Sequence, residues 1–252
     1  MTRRTYPTAM DYTGVRLRLG RVFREDGRAL IFAIDHGFFM GPVKGVEKPL
    51  EVLEKVVDAG VDAVMATYGI MKNYAASVSR KNLGWILTLL DTSPYTVERS
   101  VASAVAVAAD AVKVYISYGS ENMKRDLDIL WAVNMACREY GLPVLAEMYP
   151  VSRPSPEEVA KMARIGAEYG GDFVKTVYTG DPASFRHVVE TCPVPVVVLG
   201  GEKIESEQQV LQMVRESVSV GGAGAAMGRN IFQHPDPGRI TKDLLEIIHG
   251  KP

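Results

Sequence analysis

The sequence predicts a closed (β/α)8 barrel, also called a TIM barrel, with one extra N-terminal helix. Eight short apolar, β-branched runs recur along the 252 residues, and a longer segment with helical periodicity follows each of them. No linker or low-complexity tract interrupts this alternation, so residues 1–252 are expected to form a single domain. Hydrophobic residues make up 47% of the chain, which is enough for a large core and excludes a disordered chain. An open α/β sheet is the alternative architecture.

The elements follow in order from these patterns. Residues 12–23, rich in Leu, Val and Arg, are predicted to form the extra helix and to cap the lower end of the barrel. The strands are predicted to begin near Leu30, Ala63, Trp85, Ala111, Pro143, Phe173, Val194 and Gly224. The helices are predicted over residues 49–59, 70–79, 97–109, 121–140, 156–169, 182–190, 205–220 and 237–249. Glycine-containing joints at 59–62 and 169–172 are predicted to end a helix and turn the chain into the next strand.

Charge and cysteine content argue against several kinds of partner and compartment. The 29 basic and 30 acidic residues give a formal net charge of −1, so no overall field attracts the chain to nucleic acid or to an acidic membrane. Cys137 and Cys192 lack the CxxC spacing of a redox pair or zinc site, which favours a reducing, cytoplasmic compartment. No apolar stretch follows the charged start, so no signal peptide is expected. The longest apolar region, residues 101–114, is interrupted by polar residues and is shorter than the roughly 20 residues that span a bilayer.

Candidate catalytic residues lie where the predicted strands end, because barrels of this kind build their sites at the carboxyl ends of the strands. Lys175 lies within an apolar strand, where an ammonium ion is poorly solvated, and a neutral amine can form a Schiff base with a carbonyl. Tyr149 is a candidate for proton transfer at a substrate hydroxyl, and Asp35 for managing the carbinolamine and orienting the lysine. Each of the three has a structural alternative. Lys175 would then pair its tip with a surface carboxylate, Tyr149 would be a core aromatic ring, and Asp35 would cap a turn. His36 is a candidate substrate-binding residue, with an orienting hydrogen bond to the backbone as its alternative.

A phosphate site is predicted in the loops after the last two strands. Gly200 and Gly201 follow the seventh strand, and Gly228 and Arg229 follow the eighth. Backbone N–H groups can hold a phosphate where no Cβ blocks its approach, and a guanidinium adds a charge-assisted contact. Structural turn glycines are the alternative. No cofactor is predicted, and a metal-dependent mechanism is disfavoured because the histidines show no ligand-like cluster in the sequence. These histidines are His36, His187, His234 and His249.

Several stretches together resemble the class I Schiff-base aldolases related to archaeal-type fructose-1,6-bisphosphate aldolase. They are RLGRVFREDGRALIFAIDHG (18–37), GPVKG (41–45), MYP (148–150), FVKTVYTGD (173–181), CPVPVVVLGGEK (192–203) and MGRNIFQ (227–233). The resemblance covers nearly the whole chain and implies a decameric barrel in which Lys175 forms the Schiff base. It also implies that Asp35 and Tyr149 hold the corresponding family roles.

Three relatives with different chemistry share this pattern. They are the aldolase of glycolysis and gluconeogenesis, the transaldolase 2-amino-3,7-dideoxy-D-threo-hept-6-ulosonate synthase, and a thiolase acting on a phosphorylated dione. Tyr149 points toward aldol chemistry, since the thiolase pattern lacks that tyrosine. The first expectation is therefore an aldolase acting on a phosphorylated ketose such as fructose 1,6-bisphosphate. A sugar-phosphate-binding barrel without catalytic activity is an alternative of a different class.

Two charged residues depart from the family pattern. Glu147 stands where the glycolytic aldolase has an aromatic residue and the transaldolase an apolar one, and Lys113 stands where small or neutral residues are usual. Strand alternation places Glu147 on the same face as Tyr149, and Lys113 on the same face as Tyr115 and Ser117. Since either charge alone would be costly inside the barrel, the two are predicted to pair there.

Overall fold

The structure is a computed structural model that describes residues 13–90, 93 and 96–250. Eight parallel strands pair in chain order, and the last strand pairs with the first, so the sheet is closed and the open alternative is excluded. The strands are β1 (Ala29–Ala33), β2 (Ala63–Thr67), β3 (Gly84–Thr88), β4 (Ala111–Tyr118), β5 (Val144–Pro150), β6 (Phe173–Thr176), β7 (Val196–Leu199) and β8 (Gly224–Met227). The predicted barrel is confirmed.

The helices surround the barrel and occupy most of the predicted segments. They are α1 (Thr13–Val22), α2 (Gly37–Met40), α3 (Pro49–Asp58), α4 (Tyr68–Val78), α5 (Val97–Ala106), α6 (Met123–Tyr140), α7 (Pro156–Glu168), α8 (Pro182–Thr191), α9 (Glu207–Ser219), α10 (Arg229–Phe232) and α11 (Pro237–His249). The extra helix α1 is confirmed, apart from position 12, which lies outside the described residues. The sequence did not predict α2 and α10, because four residues are too few to show a helical period.

The hydrophobic residues of the strands form two separate clusters. One lies inside the barrel and includes Ile31, Met65 and Phe173, whereas a larger one packs the outer strand faces against the helices. This division follows from the alternation of side chains along each strand. Phe23, just after α1, belongs to the inner cluster and meets Phe173 edge to face with 5.3 Å between ring centroids. The prediction that the first helix caps the lower end of the barrel is therefore consistent with these contacts.

Acidic residues just before three strands fasten the lower end of the barrel. Gly60 and Gly170 have φ of 95° and 96°, which ends the preceding helix and turns the chain. Asp62 and Asp172 follow these glycines, and Asp110 stands at the corresponding place before β4. Each of the three carboxylates accepts a backbone N–H from near the start of the preceding strand. These bonds run from Leu30 to Asp62 (2.7 Å), from Trp85 to Asp110 (3.0 Å) and from Val144 to Asp172 (2.8 Å). Each carboxylate is also paired with an arginine. These bonds hold neighbouring strands together at the lower end of the barrel, opposite the carboxyl ends where the candidate site lies.

Within the described part of the chain, no helix combines the length and the apolar character needed to cross a membrane.

Candidate active site

Four charged side chains meet inside the barrel near the carboxyl ends of its strands. They come from four strands: Asp35 just after β1, Lys113 in β4, Glu147 in β5 and Lys175 in β6. All four are buried, with exposed fractions between 4% and 7%. The alternation of side chains along each strand directs them into the barrel. The predicted inward placement of Lys113 and Glu147 is confirmed.

These four residues form a single chain of ion pairs with alternating charge. Lys113 Nζ lies 2.8 Å from Asp35 Oδ2 and 2.8 Å from Glu147 Oε2. Glu147 Oε1 lies 2.6 Å from Lys175 Nζ, and these two residues are register partners across β5 and β6. Thr88 of β3 donates its hydroxyl to Asp35 Oδ2 at 2.8 Å. The predicted pairing of Lys113 with Glu147 is confirmed, and we call the four charged residues the buried ion-pair chain.

Neighbouring charges set the protonation states in the buried ion-pair chain. Burial by itself would raise the pKa of Glu147, but Lys113 and Lys175 outweigh it and hold that pKa at about 2. Burial also acts to raise the pKa of Asp35, and Lys113 turns the net shift downward. Burial acts to lower the pKa of Lys113, yet Glu147 and Asp35 raise it above the ordinary value for lysine. Lys113 is thus held as an ammonium ion between two carboxylates. Lys175 is paired with one carboxylate among the described residues.

The partner of Lys175 differs from the one that the sequence suggested. The sequence predicts that Asp35 orients Lys175. In the structure, Asp35 forms its ion pair with Lys113, and Glu147 forms an ion pair with Lys175. Glu147 departs from the family pattern. Because it lies two positions before Tyr149 on the same strand, the two side chains share a face, and this predicts that Glu147 faces the interior. Thr88 was missed, because a single threonine in an apolar strand carries no charge signal.

Tyr149 lies toward the mouth of the barrel, two positions after Glu147 on the same face of β5. Its half-buried ring is tilted by 31° against the ring of Tyr115, with 5.9 Å between the centroids. Burial and the nearby Glu147 raise the pKa of Tyr115, which therefore keeps its phenol proton near neutral pH. The two tyrosines thus form an aromatic wall beside the buried ion-pair chain.

The loops after β7 and β8 are held together by Asn230, which is 1% exposed. Its Nδ2 donates to the carbonyl oxygens of Gly200 at 2.7 Å and Glu202 at 3.1 Å. Arg229 Nε donates to the carbonyl oxygen of Gly201 at 3.1 Å. The structure therefore brings the predicted residues of the two loops together. Asn230 was not among the site residues predicted from the sequence, although its side chain connects these loops.

The imidazole ring of His36 occupies the space beside Gly228 that a side chain at this position would need. A Cβ at Gly228 would lie 2.2 Å from His36 Cε1, so a larger residue at Gly228 would displace the imidazole. The ring also meets Phe232 edge to face, with 5.0 Å between centroids. Burial lowers the pKa of His36 to about 4, with Lys175 acting in the same direction, so this side chain is neutral near pH 7. Its Nδ1 is buried and has no hydrogen-bond partner among the described residues.

Backbone donors complete the arrangement at these loops. Gly228 is the N-cap of α10, and the first N–H groups of a helix have no partner within it. Such groups can donate to an anion. For metals the described residues offer no comparable arrangement, since they contain no group of three or more His, Cys, Asp or Glu side chains that could hold an ion.

The chain is similar to known proteins over almost its whole length. The family model for DeoC/LacD family aldolases matches residues 29–234, which include all eight strands. The chain is 37% identical to 2-amino-3,7-dideoxy-D-threo-hept-6-ulosonate synthase 1 of Archaeoglobus fulgidus, and the match covers 94% of this chain and 92% of the relative. It is 32% identical to 2-amino-4,5-dihydroxy-6-oxo-7-(phosphonooxy)heptanoate synthase of Streptomyces griseus, with 93% and 90% covered.

A solved structure extends this similarity to the fold. It is an archaeal fructose-1,6-bisphosphate aldolase with its catalytic lysine covalently bound to the carbinolamine intermediate of the substrate. It superposes with a TM-score of 0.82 at 29% identity, covering 94% of this chain and all of the other. Sequence and fold therefore agree, and the chain belongs to the DeoC/LacD family of aldolases.

Proposed function

We propose that this protein is a class I aldolase in which Lys175 forms an imine with the ketone of a phosphorylated ketose. The observation that carries the proposal is the contact of 2.6 Å between Lys175 Nζ and Glu147 Oε1 inside the barrel. A buried amine with a carboxylate at hydrogen-bond distance has both a nucleophile and a group that can move its proton. Lys113, between two carboxylates, is the less suitable nucleophile because it is held as an ammonium ion.

Formation of the imine needs several proton movements, and Glu147 is placed for two of them. The carboxylate first takes a proton from the Lys175 ammonium ion, and the neutral nitrogen attacks the ketone carbon. The attacking nitrogen releases a further proton, which passes to the former carbonyl oxygen and gives the neutral carbinolamine. Glu147 next returns a proton to the hydroxyl of this carbinolamine, and water leaves as the carbon–nitrogen double bond forms. Lys113 stays charged, and its ion pair with Glu147 holds that carboxylate next to the Lys175 nitrogen. In this proposal Asp35 positions Lys113, which is a different task from the one expected from the sequence.

The carbon–carbon bond is then made next to the imine. The adjacent carbon loses a proton to water, which gives an enamine, and this carbon attacks the carbonyl carbon of an aldehyde. The aldehyde oxygen receives the carbonyl electron pair and takes a proton from Tyr149 as the new bond forms, and the Tyr149 phenolate then regains a proton from water. Water hydrolyses the imine, which releases the ketose and restores the Lys175 amine. The same steps in reverse cleave the ketose.

In this proposal the loops after β7 and β8 hold the phosphate of the ketone partner. Gly200, Gly201 and Gly228 keep side chains out of the way, and Arg229 supplies a cation. The phosphate would then determine which carbonyl meets Lys175. Fructose 1,6-bisphosphate is supported as a candidate by the archaeal aldolase structure. A heptulosonate-type substrate is supported by the relatives at 37% and 32% identity.

Borohydride trapping tests the proposal. The protein is incubated with each candidate ketose, reduced, and analysed by intact mass and peptide mapping. We expect one ligand mass on Lys175, and none in Lys175→Met. Arg229→Ala should lower kcat/KM for the phosphorylated ketose by about tenfold or more while changing little for the unphosphorylated sugar. Labelling of Lys113 or Lys203, or full activity of Lys175→Met, would contradict the assignment.

A further inference from the structure

Tyr115 lies inside the mouth of the barrel and has no part in the reaction steps described so far. Along β4, Val112, Val114 and Ile116 belong to the outer cluster, so the residues between them face the interior. Lys113 is one of these and is buried in the ion-pair chain. Tyr115 lies two positions nearer the carboxyl end of the strand and is 47% exposed. Its side chain therefore lies at the open end of the barrel interior.

The register of the strands places Tyr115 in line with groups that the proposed reaction uses. Tyr115 is the register partner of Glu147 across β4 and β5, and Glu147 is the register partner of Lys175 across β5 and β6. A phenol, a carboxylate and an amine thus follow one another on three neighbouring strands. The ring of Tyr149 lies on the other side, with 5.9 Å between its centroid and that of Tyr115. Tyr115 is therefore a close neighbour of the carboxylate that pairs with Lys175 and of Tyr149.

The closed barrel also indicates from which side the aldehyde approaches the imine. With the strands paired in chain order, β4 lies opposite β8, four strands away in either direction. Under the proposed function, the loops after β7 and β8 hold the phosphate of the ketone partner, and Lys175 on β6 holds its imine carbon. The carbon that attacks the aldehyde lies on the other side of the imine from this phosphate. A molecule that extends from β8 past β6 continues toward β5 and β4, where Tyr149 and Tyr115 lie.

We infer that Tyr115 is a second catalytic phenol, which donates a hydrogen bond to the aldehyde oxygen beside Tyr149. The inference rests on the proposed function and adds a residue to its machinery. As the carbon–carbon bond forms, the carbonyl electron pair moves onto the aldehyde oxygen. Tyr149 transfers its proton to this oxygen, while Tyr115 keeps its own proton and donates a hydrogen bond to it. Donors that are already oriented where negative charge develops lower the barrier of such a step.

The hydrogen bond from Tyr115 would serve any acceptor of the reaction. Its acceptor atom is the carbonyl oxygen, which every aldehyde has, so the contact does not depend on the charged group at the far end of the molecule. The role of Tyr115 is therefore the same for a fructose 1,6-bisphosphate type of substrate and for a heptulosonate type.

The surroundings of Tyr115 favour a phenol that donates without losing its proton. Burial raises the pKa of Tyr115, and the negative charge of Glu147 raises it further. A hydrogen bond with Ser117 and the charge of Lys113 act in the opposite direction, and the net shift is upward. The phenolate of Tyr115 is thus disfavoured near neutral pH. Ser117 is also the register partner of Tyr149, so its hydrogen bond fixes Tyr115 at the level of the other phenol.

Two variants of β4 separate the hydroxyl of Tyr115 from the rest of the strand. Tyr115→Phe removes this hydroxyl and keeps the ring against Tyr149. Tyr118→Phe is the matched control, because it makes the same change three positions further along the strand. Tyr118 lies on the opposite face and packs against the outer cluster. Each variant loses one oxygen atom and no charge, so a difference between them reports where the hydroxyl lies.

Three measurements follow successive stages of the reaction with dihydroxyacetone phosphate. Borohydride trapping reports the imine, and deuterium uptake from D₂O at the carbon next to it reports the enamine. Neither measurement needs an aldehyde. Aldol addition is then measured with whichever of glyceraldehyde 3-phosphate, glyceraldehyde and glycolaldehyde the wild-type protein uses fastest.

We expect Tyr115→Phe to retain the wild-type level of imine trapping and of deuterium uptake. Its kcat for aldol addition should fall by about tenfold or more, because a donor to the developing oxyanion is lost. The KM for the aldehyde should change less than kcat, since the interaction is strongest in the transition state. Tyr118→Phe should match the wild-type protein in all three measurements.

The outcomes separate the two proposals. If Tyr115→Phe adds the aldehyde as fast as Tyr118→Phe, or loses deuterium uptake to the same extent as aldol addition, the inference about Tyr115 is overturned. An intact imine trap in the wild-type protein leaves the proposed function standing in that case. Failure to trap any imine in the wild-type protein overturns the proposed function and this inference with it.

Discussion

Removing one charge from the buried ion-pair chain should destabilise the protein strongly. Lys113→Met keeps an unbranched side chain but removes an ammonium group that lies 2.8 Å from each of two carboxylates. At an effective dielectric constant of about 20, each contact amounts to about 6 kcal/mol of Coulomb attraction, opposed by several kcal/mol of desolvation for each ion. The substitution leaves an uncompensated negative charge in the barrel. We therefore expect the free energy of unfolding to fall by about 3 to 5 kcal/mol.

A double-mutant cycle isolates the pairing from other effects of the substitution. Combining Lys113→Met with Glu147→Leu removes one charge of each sign, so the two remaining charges of the chain balance. The double variant should therefore be more stable than the sum of the single effects predicts, by about 1 to 3 kcal/mol. Lys124→Met is the control, because it breaks an ion pair with Asp128 of similar length, 2.7 Å, on the exposed surface. Water screens that pair, and its loss should change stability little.

Urea unfolding at pH 7 and constant ionic strength, followed by circular dichroism, measures the wild-type protein and the four variants on one scale. The slope of free energy against urea should stay the same, so that a shifted midpoint reports stability. The reasoning is refuted if Lys113→Met costs no more than Lys124→Met, or if the two single changes simply add in the double variant.

Three further predictions concern other sites. Tyr149→Phe should lower turnover by about 10²- to 10⁴-fold while borohydride still traps the imine, and unchanged turnover would show a structural role only. Thr176→Val should stabilise the protein by about 1 kcal/mol in thermal unfolding, because the fully buried hydroxyl has no partner among the described residues. Thr241→Val, which removes a bond of 2.7 Å to a carbonyl, should destabilise it instead. His249 bridges two carboxylates at 2.7 and 2.9 Å, and these outweigh burial and raise its pKa above the ordinary 6.5. Its stabilising contribution should be complete below pH 6.5 and disappear as pH rises through the raised pKa, a dependence that His249→Gln should remove from Tm profiles.

The order of the elements was determined by the sequence alone. Each apolar run and each helical period reflects which side chains must leave water, and this local signal does not depend on distant contacts. For the same reason the alternation along β4 and β5 was enough to predict that Lys113 and Glu147 face the interior. The stretches around Lys175 and Asp35 were likewise sufficient to suggest the family.

Which charged groups touch was decided by the tertiary structure. Alternation assigns a side chain to a face but does not identify its partner, because partners depend on the stagger of neighbouring strands and on closure of the barrel. Asp35 and Lys113 are 78 positions apart and meet only because β1 and β4 enclose the same narrow interior. Lys175 meets Glu147, rather than the expected Asp35, because the register of β5 and β6 sets these two residues side by side.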